Sequence, residues 1–402
     1  MRPLSTLLFA SILLALSFSI AIGAPLEDGD VDHIGVPQVA AMATASDMPA
    51  SPADGGAFNA EIAKSEAELA KKMQPFAGGY GAGFRDKNDV SVMQGGVYGG
   101  GTLWDALNLR LQAMTGLLHQ DAKSSRRESN VWRTSTSLGF VDLFLTPRIV
   151  FWGSFNYEGF NQLSDESVSV RDASGNTKLY SRAPLYRGYV VGGKLGAKYI
   201  FDNESEVGVE AKRESMWAEH DRFDTRVFNR ITDMTKMASD MAVNRARAYS
   251  NIVTFPENQL HLEGGYDSME DGNQRKWGYA HYQLPFPWSY DKHWMVLRPN
   301  FYVESCDEQK DGYFSPEYHI TTGLMIHTIQ EFKYIDIEAE VNPQLLWTKD
   351  KTKKGDTQEG IHGLLNIAYK YENFRIGVGG FAYSDTDDYW LFRGNVFLKY
   401  SF

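Results

Sequence analysis

From residue 75 to the end of the chain, apolar and polar positions alternate with a period of two. In the last segment the even positions are Trp390, Phe392, Gly394, Val396, Leu398, Tyr400 and Phe402, while the odd ones include Arg393, Asn395, Lys399 and Ser401. Ile335, Ile337, Ala339, Val341, Leu345 and Trp347 alternate with Asp336, Glu338, Glu340, Asn342 and Gln344. Ile361, Gly363, Leu365, Ile367 and Tyr369 alternate with His362, Asn366 and Lys370, and Met295, Leu297, Phe301 and Val303 with Arg298, Asn300, Tyr302 and Glu304. Successive side chains of a strand point to opposite faces, so each segment has one apolar and one polar face.

The pattern predicts about sixteen strands, with 14 to 18 as the range, since strand edges read from sequence are uncertain by about two to four residues. They fall at 77–85, 91–99, 103–113, 132–145, 148–158, 185–200, 205–215, 247–254, 259–267, 275–284, 294–304, 318–328, 334–347, 361–371, 374–383 and 389–402. A soluble sandwich also alternates, so the connections decide. Gly100-Gly101-Thr102, Thr146-Pro147, Asp202-Asn203-Glu204, Pro256-Glu257-Asn258 and Glu372-Asn373 are tight, whereas 114–131, 159–184, 216–246, 305–317 and 348–360 are long and mostly polar. Short turns on one side and long loops on the other are the pattern of an outer-membrane barrel. Every backbone polar group must be paired in lipid, so a sheet crosses only when it closes on itself. The expected fold is an all-β, transmembrane, antiparallel up-and-down barrel over 76–402, with short periplasmic turns, long extracellular loops and both ends of the barrel on the periplasmic side.

The N-terminal segment reads differently. Arg2 precedes an apolar run from Leu7 to Ile22, and Ala21-Ile22-Gly23 has the small-x-small form of a cleavage site. The run is shorter than the roughly 20 residues of a membrane-spanning helix, so residues 1–23 are expected to be a signal peptide. No Cys follows the run, which excludes a lipoprotein anchor. Residues 24–75 read as a periplasmic linker with one short helix at 59–74, where Ile62, Leu69 and Met73 recur at helical spacing. That helix suits packing on the barrel mouth, plugging it, or contacting a partner. The formal charge of −11 argues against nucleic acid. The single Cys306 can form no intramolecular disulfide and reads as a free thiol.

No G-x-S-x-G, H-E-x-x-H, paired C-x-x-C or phosphate-binding loop is present, so neither enzyme activity nor a cofactor or metal site is expected. The Gly95–Gly101 run lies in a strand and its turn, with no helix N-terminus to hold phosphate. His261 and His281 read as hydrogen-bonded interior histidines. Asp336, Glu338 and Glu340 share one strand face at about 6.5–7 Å spacing. Such a row belongs in water rather than lipid. It would favour cations over small anions and offer acceptors to neutral or amine-bearing sugars, or pair with Lys and Arg of neighbouring strands such as Lys370. Arg298, Asn300 and Glu304 complete the expected pore-lining set. Tyr313, Phe314 and Tyr318 gather around Pro316 at a strand entrance, suited to stacking on sugar rings or to interfacial anchoring. In loop 216–246, Met234, Met237, Met241 and Val243 have the spacing of a short helix that constricts the pore.

Gly312-Tyr313-Phe314-Ser315-Pro316 followed by a strand resembles a segment in the C-terminal barrels of bacterial exopolysaccharide exporters, the cellulose-synthase outer-membrane subunit and the poly-N-acetylglucosamine exporter among them. The Asp271-Gly272-Asn273 turn before Trp277, Tyr279 and Tyr282, and the aromatic-ended final strand, are similar to further features of that family. The resemblance covers roughly residues 225–402. It implies a sixteen-stranded outer-membrane pore carrying a secreted polysaccharide to the cell surface, with Tyr313, Phe314 and Tyr318 facing the polymer. The final strand ending in Phe402 looks like the signal read by the outer-membrane assembly machinery. Those exporters commonly carry tetratricopeptide repeats before the barrel, and no 34-residue period is present here. The expected partners are therefore outer-membrane lipid, that assembly machinery, a separate periplasmic scaffold protein and a polysaccharide synthase. A diffusion porin for small solutes or oligosaccharides is the alternative, and an adhesion barrel with a filled interior is a third reading.

Overall fold

A computed structural model describes residues 75–402 apart from 104–106, 122–128, 147, 163–167, 172–176, 181–186, 218–230, 237, 239, 256–257, 288, 290–292 and 351–354. The expected signal peptide, the linker up to residue 74 with its helix, and Met237 lie outside the described residues. The strands are β1 Phe76–Asp86, β2 Val90–Leu103, β3 Leu107–Gln120, β4 Ser129–Thr146, β5 Ile149–Gln162, β6 Val168–Arg171, β7 Thr177–Tyr180, β8 Arg187–Ile200, β9 Glu206–Ser215, β10 Ala242–Phe255, β11 Asn258–Met269, β12 Gln274–Pro285, β13 His293–Cys306, β14 Tyr318–Glu331, β15 Ile335–Lys349, β16 Asp356–Tyr371, β17 Phe374–Asp385 and β18 Trp390–Ser401.

Sixteen of these close into one barrel, each antiparallel to its chain neighbour, while β6 and β7 pair only with each other in the connection between β5 and β8. Closure is made by β1 on β18, from Phe76 opposite Ser401 to Asp86 opposite Leu391. No barrel strand is left with an unpaired edge, as lipid requires.

Outside, the wall is apolar: Phe392, Val396 and Leu398 of β18, Val207 and Val209 of β9, and Ile376 and Val378 of β17 are all exposed. Exposed aromatics band both ends. Trp132, Tyr157, Tyr189, Tyr266, Tyr318 and Trp390 mark one, and Phe201, Phe255, Tyr334, Tyr371, Phe374, Tyr400 and Phe402 the other. The alternate residues are buried polar groups such as Glu210, Arg245, Asp267, Asn342 and Asn395. Several interior rings lie over a glycine of the next strand. A Cβ on Gly265 would collide with the Trp277 ring, and one on Gly96 would sit 2.8 Å from the Tyr80 ring.

The expected turn at Gly100–Thr102 is a correction. Those residues continue β2, with Gly100 opposite Arg110 and Leu103 opposite Leu107. Glycine there leaves room rather than ending the strand, because a Cβ on Gly101 would press on Pro75 at 3.3 Å. The tight connections near 146–147, 202–204, 256–258 and 372–373 do lie at the end that holds Phe76 and Ser401, called here the terminus end. The long ones lie at the opposite, loop end, but the strands run further than expected and leave 121–128, 163–186, 216–241, 307–317 and 350–355. Three loop-end turns are also short, and two of these share one solution. Asp86 accepts from the backbone N–H of Asn88 and Val90, and Asp385 from those of Asp387 and Tyr389. In each, the fourth residue, Asp89 or Asp388, takes a positive φ, a conformation Asp tolerates.

Candidate functional site

The interior of the barrel is the candidate site, and its character changes around the wall. On β8 to β12 it is a lattice of buried ion pairs. Asp267 receives Arg245 at 2.6 and 2.7 Å, the Arg275 Nε at 2.8 Å and the Trp277 indole N–H at 3.3 Å. Arg247 spans from Glu210 at 3.1 Å to Glu263 at 2.7 Å, and Lys198 meets Glu206 at 2.8 Å. Removing one partner from such a pair would strand a buried charge, so the lattice fixes side-chain positions across the wall. His261 and His281 both lie on this interior face, stacked with ring centroids 4.9 Å apart.

On β13 to β18 the wall is richer in amides and histidines. Asp336, Glu338 and Glu340 lie in line along β15 and turn inward. Asp336 pairs with Lys370 and with Arg375, each at 2.6 Å. Glu338 accepts from Asn366 at 2.9 Å and lies 3.1 Å from the His327 Nε2, and Glu340 lies 2.9 Å from the His362 Nε2. Arg298 donates to Gln283 at 3.0 and 2.7 Å and stacks on Trp294, Asn300 donates to Asn342 at 3.2 Å, and Glu304 accepts from Tyr302 at 2.9 Å. The six expected pore-lining residues thus share the interior face. Each is engaged with a neighbouring strand or a neighbouring position on its own. Among the described residues, no group of three or more His, Cys, Asp or Glu is arranged to hold a metal ion.

At the loop end the interior becomes apolar. Phe84, Val92, Leu118, Val131, Phe160, Val190, Val243 and Met269, from β1 to β11, are buried in one cluster with Met216, Trp217, Ile231, Met234, Met241 and Tyr313 of the loops. The expected short helix is a single turn of 3-10 helix, Met234–Lys236. Val243, placed with it by spacing, belongs to β10. Gln120, at the end of β3, ties the segment down. Its side-chain amide donates to the Asn88 carbonyl at 2.9 Å and the Thr232 carbonyl at 3.1 Å, and accepts from the Met234 N–H at 2.7 Å.

No protein-family profile matches the chain, and no curated protein matches it by sequence. Among solved structures it is similar to one described as a bacterial polysaccharide outer membrane secretin, with a TM-score of 0.55, 11% identity, and coverage of 82% of this chain and 98% of that one. CdiB from Acinetobacter baumannii aligns over 82% of this chain and 60% of its own, with a TM-score of 0.47 and 11% identity. The CymD monoaromatic hydrocarbon channel aligns over 85% and 93%, with a TM-score of 0.43 and 8% identity. The likeness is one of fold. The chain is a closed sixteen-strand barrel of outer-membrane type, similar in fold to that secretin.

In this outer-membrane-type barrel the three aromatics expected to face a polymer do not form one surface. Tyr313 is buried under the loop segment, donates to Asp271 at 2.9 Å and accepts from the Asn273 amide at 3.0 Å. Burial holds its hydroxyl well above the ordinary tyrosine range, so it stays a donor. Phe314 packs edge-on against His319, and Tyr318 is 47% exposed on the outer aromatic band with Lys349 over its ring. Sequence reasoning missed Gln120, Asn88 and the Met216-Trp217 pair. The available signal was a large apolar pair, Met216-Trp217, opening an otherwise polar loop.

Proposed function

We propose that the chain is a bacterial outer-membrane pore that conducts a secreted polysaccharide from the periplasm to the cell surface. The observation that carries the reading is the likeness in fold to a protein described as a polysaccharide outer membrane secretin, along 98% of that chain. It is supported by the order of Asp271-Gly272-Asn273, Gly312-Tyr313-Phe314-Ser315-Pro316 and the final strand, which resembles the exporter barrels. In this reading the terminus end faces the periplasm and the loop end faces outward. Asp336, Glu338, Glu340, Arg298, Asn300 and Glu304 line the conduit, and hydroxyl-rich polymer exchanges hydrogen bonds with their amide, carboxylate and guanidinium groups. The final strand ending in Phe402 engages the assembly machinery, and a separate periplasmic scaffold delivers polymer from a synthase.

Deleting the gene tests this directly. Surface polysaccharide is expected to fall to background while uptake of a small labelled sugar is unchanged. If polymer persists and sugar uptake falls, the barrel is a diffusion porin and the export reading is lost.

A further inference from the structure

The segment Ile231–Lys236 stands apart from the wall it covers. Among the described residues, a single bridge, Ile231 opposite Tyr313, joins it to any other strand-like element. Its other ties include local ones. The Thr232 and Asp233 N–H groups donate to the Gly312 carbonyl at 2.9 and 3.2 Å, the Asn88 amide donates to the Ile231 carbonyl at 3.2 Å, and Lys236 pairs with Asp311 at 2.9 Å. The Gln120 side chain supplies two more bonds, to the Thr232 carbonyl and from the Met234 N–H. None of these belongs to the ladder of the barrel, so the segment can leave without breaking a strand pair.

What it covers is apolar. Ile231 and Met234 are buried in one cluster with Leu118, Val92 and Val131, and next to Val131 and Phe160 on β4 and β5 lies the Arg133–Glu158 pair, where Arg133 donates to Glu158 at 2.9 and 2.5 Å. The root of the loop is fixed at that pair: the Ser215 hydroxyl donates to Glu158 at 2.7 Å, and the Met216 N–H donates to the Met241 carbonyl at 2.9 Å. Four methionines, Met216, Met234, Met241 and Met269, line the contact. Their unbranched, polarizable side chains repack at little cost.

We propose that Ile231–Lys236 is a detachable plug that seals the loop end of the barrel at rest, latched by Gln120 and by the Gly312-Tyr313 backbone. This assigns Tyr313 to the latch. The plug acts on whatever the barrel conducts, so it stands or falls independently of polysaccharide export.

The test is ion current through the full chain reconstituted in planar bilayers in potassium chloride. The wild type is expected to be closed for most of the record. Gln120→Ala removes two hydrogen bonds to the segment, each worth about 0.5–1.5 kcal/mol, and is expected to raise the open fraction about tenfold or more. In a Cys306→Ala background, Ile231→Cys with Tyr313→Cys places two thiols across an antiparallel bridge, where the Cα separation of about 4.5–5.5 Å suits a disulfide. The oxidised pair is expected to be silent and to regain current on reduction. Heat-modifiable electrophoretic mobility verifies that each variant is folded. Equal current in the wild type, Gln120→Ala and the oxidised pair, whether high or absent, overturns the plug. Loss of surface polymer on gene deletion is read separately and bears only on export.

Discussion

The two ends of the interior are built on the same strands and differ in kind. Leu118 of β3 lies at the loop end and Asn108 of the same strand at the terminus end. Val190 and Lys198 stand in that relation on β8, Val243 and Asn251 on β10, and Met269 and His261 on β11. On these four strands the inward face is apolar under the loops and polar, largely ion-paired or hydrogen-bonded, below them. The period of two sets which face a residue takes, and height along the barrel sets what that face must satisfy. An apolar layer excludes water and holds a loop, whereas a paired polar wall tolerates water and stays in place without one.

The largest effect is expected in the ionic wall. Asp267→Ala leaves Arg245 and Arg275 buried without their shared carboxylate, at a cost of about 3–5 kcal/mol. Urea titration followed by the loss of the heat-modifiable folded band would record it as a lower midpoint. A midpoint unchanged from the wild type would mean that water already screens these charges, and the contrast between the ion-paired wall and the apolar layer would lose its basis.

Leu118→Ala probes the apolar layer. Leu118 is fully buried, and truncating such a side chain costs about 3 kcal/mol when the layer is packed and dry. The same titration should show a smaller fall than Asp267→Ala, accompanied by a raised ion leak. A negligible fall in stability would mean that the mouth is wet at this level, and the apolar layer would then not be a seal.

This layer also explains where the sequence was hard to read. Alternation made β15 and β18 plain, and Asp336, Glu338 and Glu340 fell on the inward face because only that face can carry three acids. Alternation fails where the interior is itself apolar. β3 was expected to stop at 113 and runs to Gln120, and β10 was expected from 247 and begins at Ala242, so both were cut short beside Leu118 and Val243. Gly100-Gly101-Thr102 reads as a turn because glycine is common in turns, although these residues continue the strand. The aromatic run Tyr313 to Tyr318 lacks a period altogether, so only three dimensions separate a buried latch from an exposed band. Gln120 is one polar residue among many, and no local pattern marks the loop it holds.

Gly265→Ala is the next test in size, and it asks whether the wall is shaped by space as well as charge. The added methyl meets the Trp277 ring, whose indole N–H serves Asp267. Displacing the ring should cost about 1–3 kcal/mol, in the range of overpacking a well-filled site. The effect should largely vanish in a Trp277→Ala background, which removes the colliding ring. If the penalty persists there, it comes from the strand backbone and the ring is not seated by the glycine.

The smallest effect is expected at the rim. Lys87 and Asp388 pair at 2.7 Å between the two Asp-capped turns, with side chains 39% and 89% exposed. Water and salt screen such a pair, so Lys87→Ala should cost about 0–1 kcal/mol, and less at high salt. The Lys87 N–H still donates to the Trp390 carbonyl in the variant, so the turn keeps its backbone tie across the seam of the barrel. Melting at low and high salt would therefore give nearly coincident curves for the variant and the wild type. A loss of more than about 2 kcal/mol would exceed the range for an exposed pair. The rim would then have to be counted with the apolar layer as part of what holds the mouth closed, and the boundary between the two ends would move outward to the turns themselves.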